Sequence, residues 1–468
     1  MGIRRAARIS GGGRRLTAWG AVVPFALFVV LGATSPGLAS AATGAESSSA
    51  SLPIQPAAVA PAFRALCPPA APGHVTCFAL VRTDASPMAR AAVRPDSAPF
   101  GYSPSDLQSA YGLSTASASN GTGITVAVVD YSDLATAESD LAAYRSQYGL
   151  SPCTTANGCF KKVDEHGGTH YPEANSDWAG EIALDIEMVS AICPNCHILL
   201  VEASTTFVND LGTAVNTAVS KGATVISNSY GGPDQAGEAS WDSSYYNHPG
   251  IAITASTGDS GFGVQFPAAS PHVTSVGGTS LSPAGNARGW TETAWAGAGS
   301  GCSGFEGKPA FQHDAGCSNR TVSDVSAVAD TNTPVAMFVD GSWIEAGGTS
   351  VAAPIIAGVY ALAGKPTAGS YPVSYPYAQT GQLNDVTSGS NGGCSPTYLC
   401  TAGAGYDGPT GLGTPNGIGA FTSPLLPAAP TVVTGAPGDS TVAVSWHAAS
   451  GNGHPITGYA VTATPGGG

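Results

Sequence analysis

The turn Gly348-Thr349-Ser350 opens an apolar run from Val351 to Leu362 that has the length of a helix. A serine at a helix start has its hydroxyl beside unpaired N–H groups and the positive end of the helix dipole, where a developing oxyanion is stabilised. Small residues at Gly347, Gly348, Ala352 and Ala353 leave room for a substrate main chain. The same residues also fit an ordinary helix cap, the common role of serine before an apolar run. The choice turns on a base for the hydroxyl, because a serine nucleophile needs one held by a third group.

Glu181 and Asp185 offer such a base, four residues apart on one face of Gly180-Glu181-Ile182-Ala183-Leu184-Asp185-Ile186. Like charges at that spacing weaken a helix slightly. Pointed into a cleft, they cannot both ionise easily, and they titrate as a pair able to exchange a proton with Ser350 at acidic pH. The competing reading is a solvated acidic face. Asp259 follows an expected strand in Ser256-Thr257-Gly258-Asp259-Ser260-Gly261. A carboxyl at an oxyanion site helps only when protonated, since the neutral acid donates and the ion repels; the competing reading is an Asp in a glycine-rich turn. A histidine base is also on offer. Glu165-His166-Gly167-Gly168-Thr169-His170 looks like the His-Gly-Thr-His motif of subtilisins, and Asp130 ends a strand as their Asp does. The extra glycine breaks that spacing, and the next helix begins some eight residues later, so His166 and His170 are expected in a loop.

The elements that must position these residues alternate from about residue 96. Strands are expected at Ile124 to Asp130, His197 to Ala203, Thr224 to Tyr230, Ile251 to Ser256 and Val273 to Val276. Helices are expected at Leu134 to Tyr148, Trp178 to Ile192, Asn209 to Lys221 and Ser350 to Leu362. Continuous apolar strands between helices indicate an α/β domain over about 96–422, with a mostly parallel sheet covered on both faces.

E-x-x-L-D-I at Glu181 to Ile186, S-x-G-D-S-G at Ser256 to Gly261 and G-G-T-S-x-A-x-P at Gly347 to Pro354 occur in that order. With them the sequence resembles the sedolisin family of serine-carboxyl peptidases, from about Tyr102 to Ala420. The resemblance implies a subtilisin-like three-layer fold and cleavage of peptides or proteins at acidic pH, as an endopeptidase or tripeptidyl-peptidase; a monomer is expected. It implies an acyl-enzyme on Ser350, Glu181 as general base and acid, Asp185 orienting Glu181, and Asp259 in the oxyanion hole. It further implies one calcium ion (Ca2+), held by the carboxylates of Asp385 and Asp407 and the carbonyls of Val386, Gly403 and Gly405; hard oxygen ligands suit that ion. The chain departs from the family in carrying Tyr406 where Trp is common, and in a Cys394–Cys400 insertion between the two ligand groups. It departs most in lacking the family's long folded prodomain: only residues 42–95 are available, read as a short propeptide or linker.

The formal charge of −14 leaves no basic field to attract nucleic acid. With only 10% charged residues, the composition tolerates acid. Residues 1–41 read as a signal peptide: Arg4, Arg5, Arg14 and Arg15 precede an apolar run from Ala21 to Gly32 and the small-residue site Ala39-Ser40-Ala41. No later segment has the apolar length of a membrane span, so a secreted, extracellular protein is expected. Ten cysteines in close neighbours predict five local disulfides: 67/77, 153/159, 193/196, 302/317 and 394/400. Cys193-Pro-Asn-Cys196 also has the spacing of a redox pair. Residues 423–468 read as a linker and an incomplete β-sandwich of fibronectin type III kind, suited to binding an extracellular polymer or protein. That tail keeps open a third reading, a catalytically inactive binding protein.

Overall fold

The computed structural model describes residues 62–83, 99–424, 430–439 and 441–449, together with 456, 458 and 459. The signal-peptide reading of residues 1–41 lies outside them. Three short strands come first: β1 (Phe63–Ala65), β2 (Thr76–Cys77) and β3 (Leu80–Arg82). The apolar segments then become a central sheet. β4 (Thr125–Tyr131) lies between β6 (His197–Ala203) and β7 (Val225–Asn228), with β5 (Phe160–Asp164) outside β6 and β9 (Ala252–Ser256) outside β7, all parallel. β8 (Tyr230–Pro233) and β10 (Gln265–Phe266) pair with each other beside the sheet.

β11 (Thr274–Pro283) runs parallel to β9 at its start and antiparallel to β12 (Trp290–Ala294) at its end. β13 (Gly301–Gly307) and β14 (Asn319–Val322) form a separate pair, and β15 (Val325–Val328) joins β11 in parallel. β16 (Val335–Val339) and β17 (Ser342–Gly347) form a hairpin, and β3 lies along β17 with β1 along β3. β18 (Leu383–Asn384) pairs with β19 (Thr414–Pro415). In the tail, β20 (Thr431–Gly438) and β21 (Thr441–His447) make one hairpin whose described side chains are nearly all exposed.

The four longest helices are α1 (Ala137–Gln147), α2 (Ser176–Ile192), α3 (Val208–Ser220) and α4 (Thr349–Ala363). α2 and α4 pack on each other and on β4, while α3 packs on β6 and β4. The α2–α4 approach is close enough that a Cβ on Gly358 would sit 2.7 Å from Ile192 Cβ. The α/β class and mostly parallel sheet expected from the sequence are therefore present. All five expected disulfides form.

Two expectations change. The run Thr224 to Tyr230 divides at Ser229 into β7 and β8, which belong to different sheets. Residues 62–83, placed in a propeptide or linker, are strands paired to β8 and β17, so the folded body begins before residue 96.

Candidate active site

Helix α2 begins at Asn175, whose side chain accepts from the N–H groups of Asp177 and Trp178 at 3.0 and 3.3 Å. From Trp178 to Ile192 every residue is buried. Glu181 and Asp185 are fully buried, which removes the solvated-face reading. Burial pushes both carboxyls well above their usual range, and the charge of Asp185 raises Glu181 further. The Ala79 N–H donates to Glu181 Oε2 at 2.9 Å, and this contact and the nearby Ser350 hydroxyl favour its ionised form. Asp185 has only the Ser229 hydroxyl near it as a counterweight. The two carboxyls therefore titrate as one coupled pair, with more of the contacts that favour an ion gathered on Glu181.

Ser350 lies in the first turn of α4, fully buried. Pro354, four residues on, has no N–H to give the Ser350 carbonyl. The freed carbonyl accepts instead from the Ser229 hydroxyl at 3.4 Å. In return the Ser350 hydroxyl donates to the Ser229 carbonyl at 3.3 Å. Ser229, at the break between β7 and β8, thus ties the nucleophile helix to the cleft edge. Ser350 is close enough to Glu181 for its hydroxyl to favour the carboxylate, and Glu181 Oε1 has no other protein partner.

Asp259 follows β9 and faces the start of α4. Its Oδ1 accepts the Thr349 N–H at 2.8 Å and the Thr349 hydroxyl at 2.9 Å. Its Oδ2 is shut from solvent and has no protein partner. Burial pushes the carboxyl up to about 7, with the Thr349 bonds opposing. In acid the group is neutral, with Oδ2 able to donate. Gly348 sits beside it at φ 98°, and a Cβ there would overlap both Asp259 Oδ2 and the carbonyl oxygen of Phe78. A buried serine, a carboxylate pair and a neutral acid thus converge on one space lined by glycine.

Residues 121–372, more than half of the chain, match the Subtilase family. The chain belongs to that family. Among its relatives, kumamolisin from Bacillus sp. (strain MN-32) is 31% identical over 71% of this chain and 65% of its own length. Xanthomonalisin from Xanthomonas sp. (strain T-22) is 26% identical over 67% of this chain and 45% of its own length. The chain thus spans less than two thirds of these curated relatives. The solved structure of Pseudomonas sedolisin, described as a serine-carboxyl proteinase complexed with two molecules of pseudo-iodotyrostatin, superposes with a TM-score of 0.58 at 25% identity. It covers 68% of this chain and 96% of sedolisin.

Within this subtilase, the histidine candidates sit away from the serine's hydrogen bonds. Asp164 fixes their turn by accepting the N–H groups of His166, Gly168 and His170 at 2.9, 2.8 and 2.7 Å. The His166 side chain is 76% exposed and lies 3.5 Å from Glu165. Among the described residues, neither His166 nor His170 hydrogen-bonds Asp130 or Ser350. Asp130 itself is fully buried, and burial and the charges of Asp185, Glu181 and Glu202 raise its pKa well above the usual range. It belongs to the carboxylate cluster, a placement the sequence reading missed by tying it to the histidines.

The proposed calcium donors also come together. Asp385 Oδ2 accepts the Gly405 N–H at 3.0 Å, and Asp407 Oδ2 accepts the Gly403 N–H at 3.0 Å. Burial raises Asp407 to about 6, and the charge of Asp385 adds to the rise. Two mutually repelling carboxylates, joined by the carbonyls of Val386, Gly403 and Gly405, would make an all-oxygen donor set of the kind that suits a hard cation. Among the described residues no three His, Cys, Asp or Glu side chains cluster as a metal site; this set would rely on main-chain carbonyls instead.

Proposed function

We propose that the protein is a serine-carboxyl peptidase that hydrolyses peptide bonds in acid. The observation that carries this reading is the buried Glu181–Asp185 pair beside Ser350, with no histidine in hydrogen-bond contact with the serine among the described residues. Glu181 takes the Ser350 proton as Oγ attacks the substrate carbonyl, then returns it to the departing amine. Asp185, one helical turn away, orients Glu181 and raises its pKa through its charge. Neutral Asp259 donates from Oδ2 to the oxygen that gains charge, while its Oδ1 stays fixed by Thr349.

Asp385, Asp407 and the carbonyls of Val386, Gly403 and Gly405 would hold calcium. Bound there, the ion supplies charge compensation and braces the loop that follows β18. Five disulfides accord with export by the N-terminal segment. The β20–β21 hairpin is the opening of a fibronectin-like module that tethers the enzyme to an extracellular polymer or protein. A digest of mixed peptides at several pH values tests the activity, using acid-treated protein and Ser350→Ala as control. Products in acid that depend on Ser350 support it; no products at any pH overturn it.

A further inference from the structure

A cavity of about 700 Å³ opens between two disulfide-closed loops, and none of Glu181, Asp185, Asp259 and Ser350 lines it. One loop joins β13 to β14 and is closed by Cys302–Cys317; the other is closed by Cys394–Cys400. Phe311 and Gly316 line the cavity from the first, Pro396 and Tyr398 from the second. The loops meet closely: a Cβ on Gly316 would overlap the Tyr398 ring and lie 2.7 Å from Pro396 Cγ. Tyr377 and Tyr406 lie between them. The four rings follow one another, with centroids 4.9 Å apart for Phe311–Tyr377, 6.3 Å for Tyr377–Tyr406 and 6.4 Å for Tyr406–Tyr398. Pro396 and Tyr398 belong to the Cys394–Cys400 insertion, and Tyr406 stands where Trp is common. The cavity is therefore built in part from the residues that set this chain apart from the sedolisin pattern.

The tyrosine hydroxyls are all engaged by the protein. Tyr377 donates to Asp324 Oδ1 at 2.6 Å, Tyr398 to Asp314 Oδ2 at 2.7 Å and Tyr406 to the Ser323 carbonyl at 2.9 Å. Asp314 also accepts Lys308 Nζ on Oδ1 at 2.7 Å and the Thr321 hydroxyl on Oδ2 at 2.9 Å. Ring carbon is what remains for an occupant. A sugar or an ion would give up its water here for few hydrogen bonds. An uncharged aromatic ring instead gains apolar burial and edge-to-face or offset contacts with its neighbours.

Hydrogen bonds join this cavity to the catalytic cleft. Ser260 lines the cleft beside Asp259. Two residues on, the Phe262 N–H donates to the Asn391 carbonyl at 3.0 Å, and the Phe262 side chain is 42% exposed. Asn391 Nδ2 donates to the Ala298 carbonyl at 2.6 Å and to Ser300 Oγ at 2.7 Å. Ser300 Oγ donates in turn to the carbonyl of Leu399, the residue after Tyr398, at 2.6 Å. A polypeptide that leaves the cleft past Ser260 thus meets the exposed Phe262 ring and then the loop that walls the cavity.

We propose that this cavity is an exosite that takes an uncharged aromatic side chain of a polypeptide substrate, several residues away from the bond being cut. This rests on the serine-carboxyl reading. The two disulfides hold the walls in place, so little ordering is left for binding. An occupant there raises the local concentration of the rest of the substrate at Ser350 without touching the reacting atoms. It therefore lowers KM and leaves kcat alone, and long chains that carry Phe, Tyr or Trp are favoured over short peptides.

The test uses acid-treated protein and one reporter peptide, extended at either end by Gly/Ser linkers of about 4, 8 and 12 residues that finish in Phe or in Gly. At one end and one linker length, the Phe-ended peptide should have a kcat/KM about tenfold higher than the Gly-ended one, all of it in KM. Thr380→Trp, at the exposed rim, puts an indole of the protein's own at the cavity and should bring that ratio to about one. Tyr398→Ala, which removes a wall, should lower it as well. The ratio is read within each variant, so a change in overall activity does not mask it. Calorimetry with N-acetyl-phenylalaninamide on Ser350→Ala supplies a second readout: binding is expected, and Thr380→Trp should abolish it. Equal kcat/KM for Phe and Gly ends at every linker length, or a preference that Thr380→Trp leaves intact, overturns the exosite and leaves the peptidase reading standing. Binding of the free amide without any preference among the peptides overturns the substrate side chain as occupant in favour of a free aromatic molecule. No hydrolysis of any peptide at any pH overturns the serine-carboxyl reading and the exosite with it.

Discussion

Thr349 gives both its N–H and its hydroxyl to one oxygen of Asp259, at 2.8 and 2.9 Å, and so aims the other oxygen at the space beside Gly348. The arrangement makes Asp259 useful only while it carries a proton, which burial maintains up to about pH 7. Asp259→Ala should lower kcat about 100- to 1,000-fold, the usual cost of one oxyanion donor. Asp259→Asn keeps a neutral donor in the same shape. It should lose far less activity and should extend activity further toward alkaline pH than the wild type. Steady-state kinetics across pH on both variants check this.

Asp185 acts on the reaction through Glu181. Its charge is among the causes that raise the Glu181 pKa. Asp185→Asn removes that charge, so the acid limb of the rate profile should move to lower pH while kcat falls by about tenfold. A lost fold would instead leave no measurable profile, and circular dichroism separates the two.

Stability should also fall as pH rises. Asp259, Glu202 and Glu306 have native pKa values pushed up to about 7, about 8 and about 7, chiefly by burial. Their unfolded values are about 4. Between those limits the native state binds more protons than the unfolded chain, so raising pH favours unfolding. Thermal melts should give a Tm that declines steadily from about pH 4 to about pH 8.

Calcium removal gives an independent prediction. A ligand bound only by the native state at about 100 times its Kd contributes about 2.7 kcal/mol. Chelation should lower Tm by roughly 5 °C. Asp385→Ala should show the lower Tm already and respond no further to chelator. Calorimetry with and without added calcium measures both.

Much of this was legible in the sequence because buried elements carry strong patterns. His197–Ala203 is apolar but for His197 at its start and Glu202, and its bounds match the expectation. β5 escaped because Lys161 and Lys162 interrupt the run; Lys162 still pairs with Asp133 at the sheet edge. The Glu181–Asp185 spacing placed two carboxyls on one helix face, but the burial that gives them their chemistry comes from packing against distant α4. The place of Asp130 in that cluster was hidden for the same reason: its neighbours Asp185 and Glu202 are remote in sequence. Residues 62–83 looked like a linker because their partners, β8 and β17, lie far along the chain. The signals that were there are Cys67 and Cys77, and the run Phe78-Ala79-Leu80-Val81 between polar neighbours.

The most direct test is the pH dependence of kcat/KM on acid-processed protein, for the wild type, Glu181→Gln and the double variant His166→Ala/His170→Ala. The expected result is a maximum near about pH 4, a loss of about 100- to 10,000-fold in Glu181→Gln, and an unchanged profile without the two histidines. A maximum near about pH 8 that survives Glu181→Gln and disappears with the histidines would contradict the account.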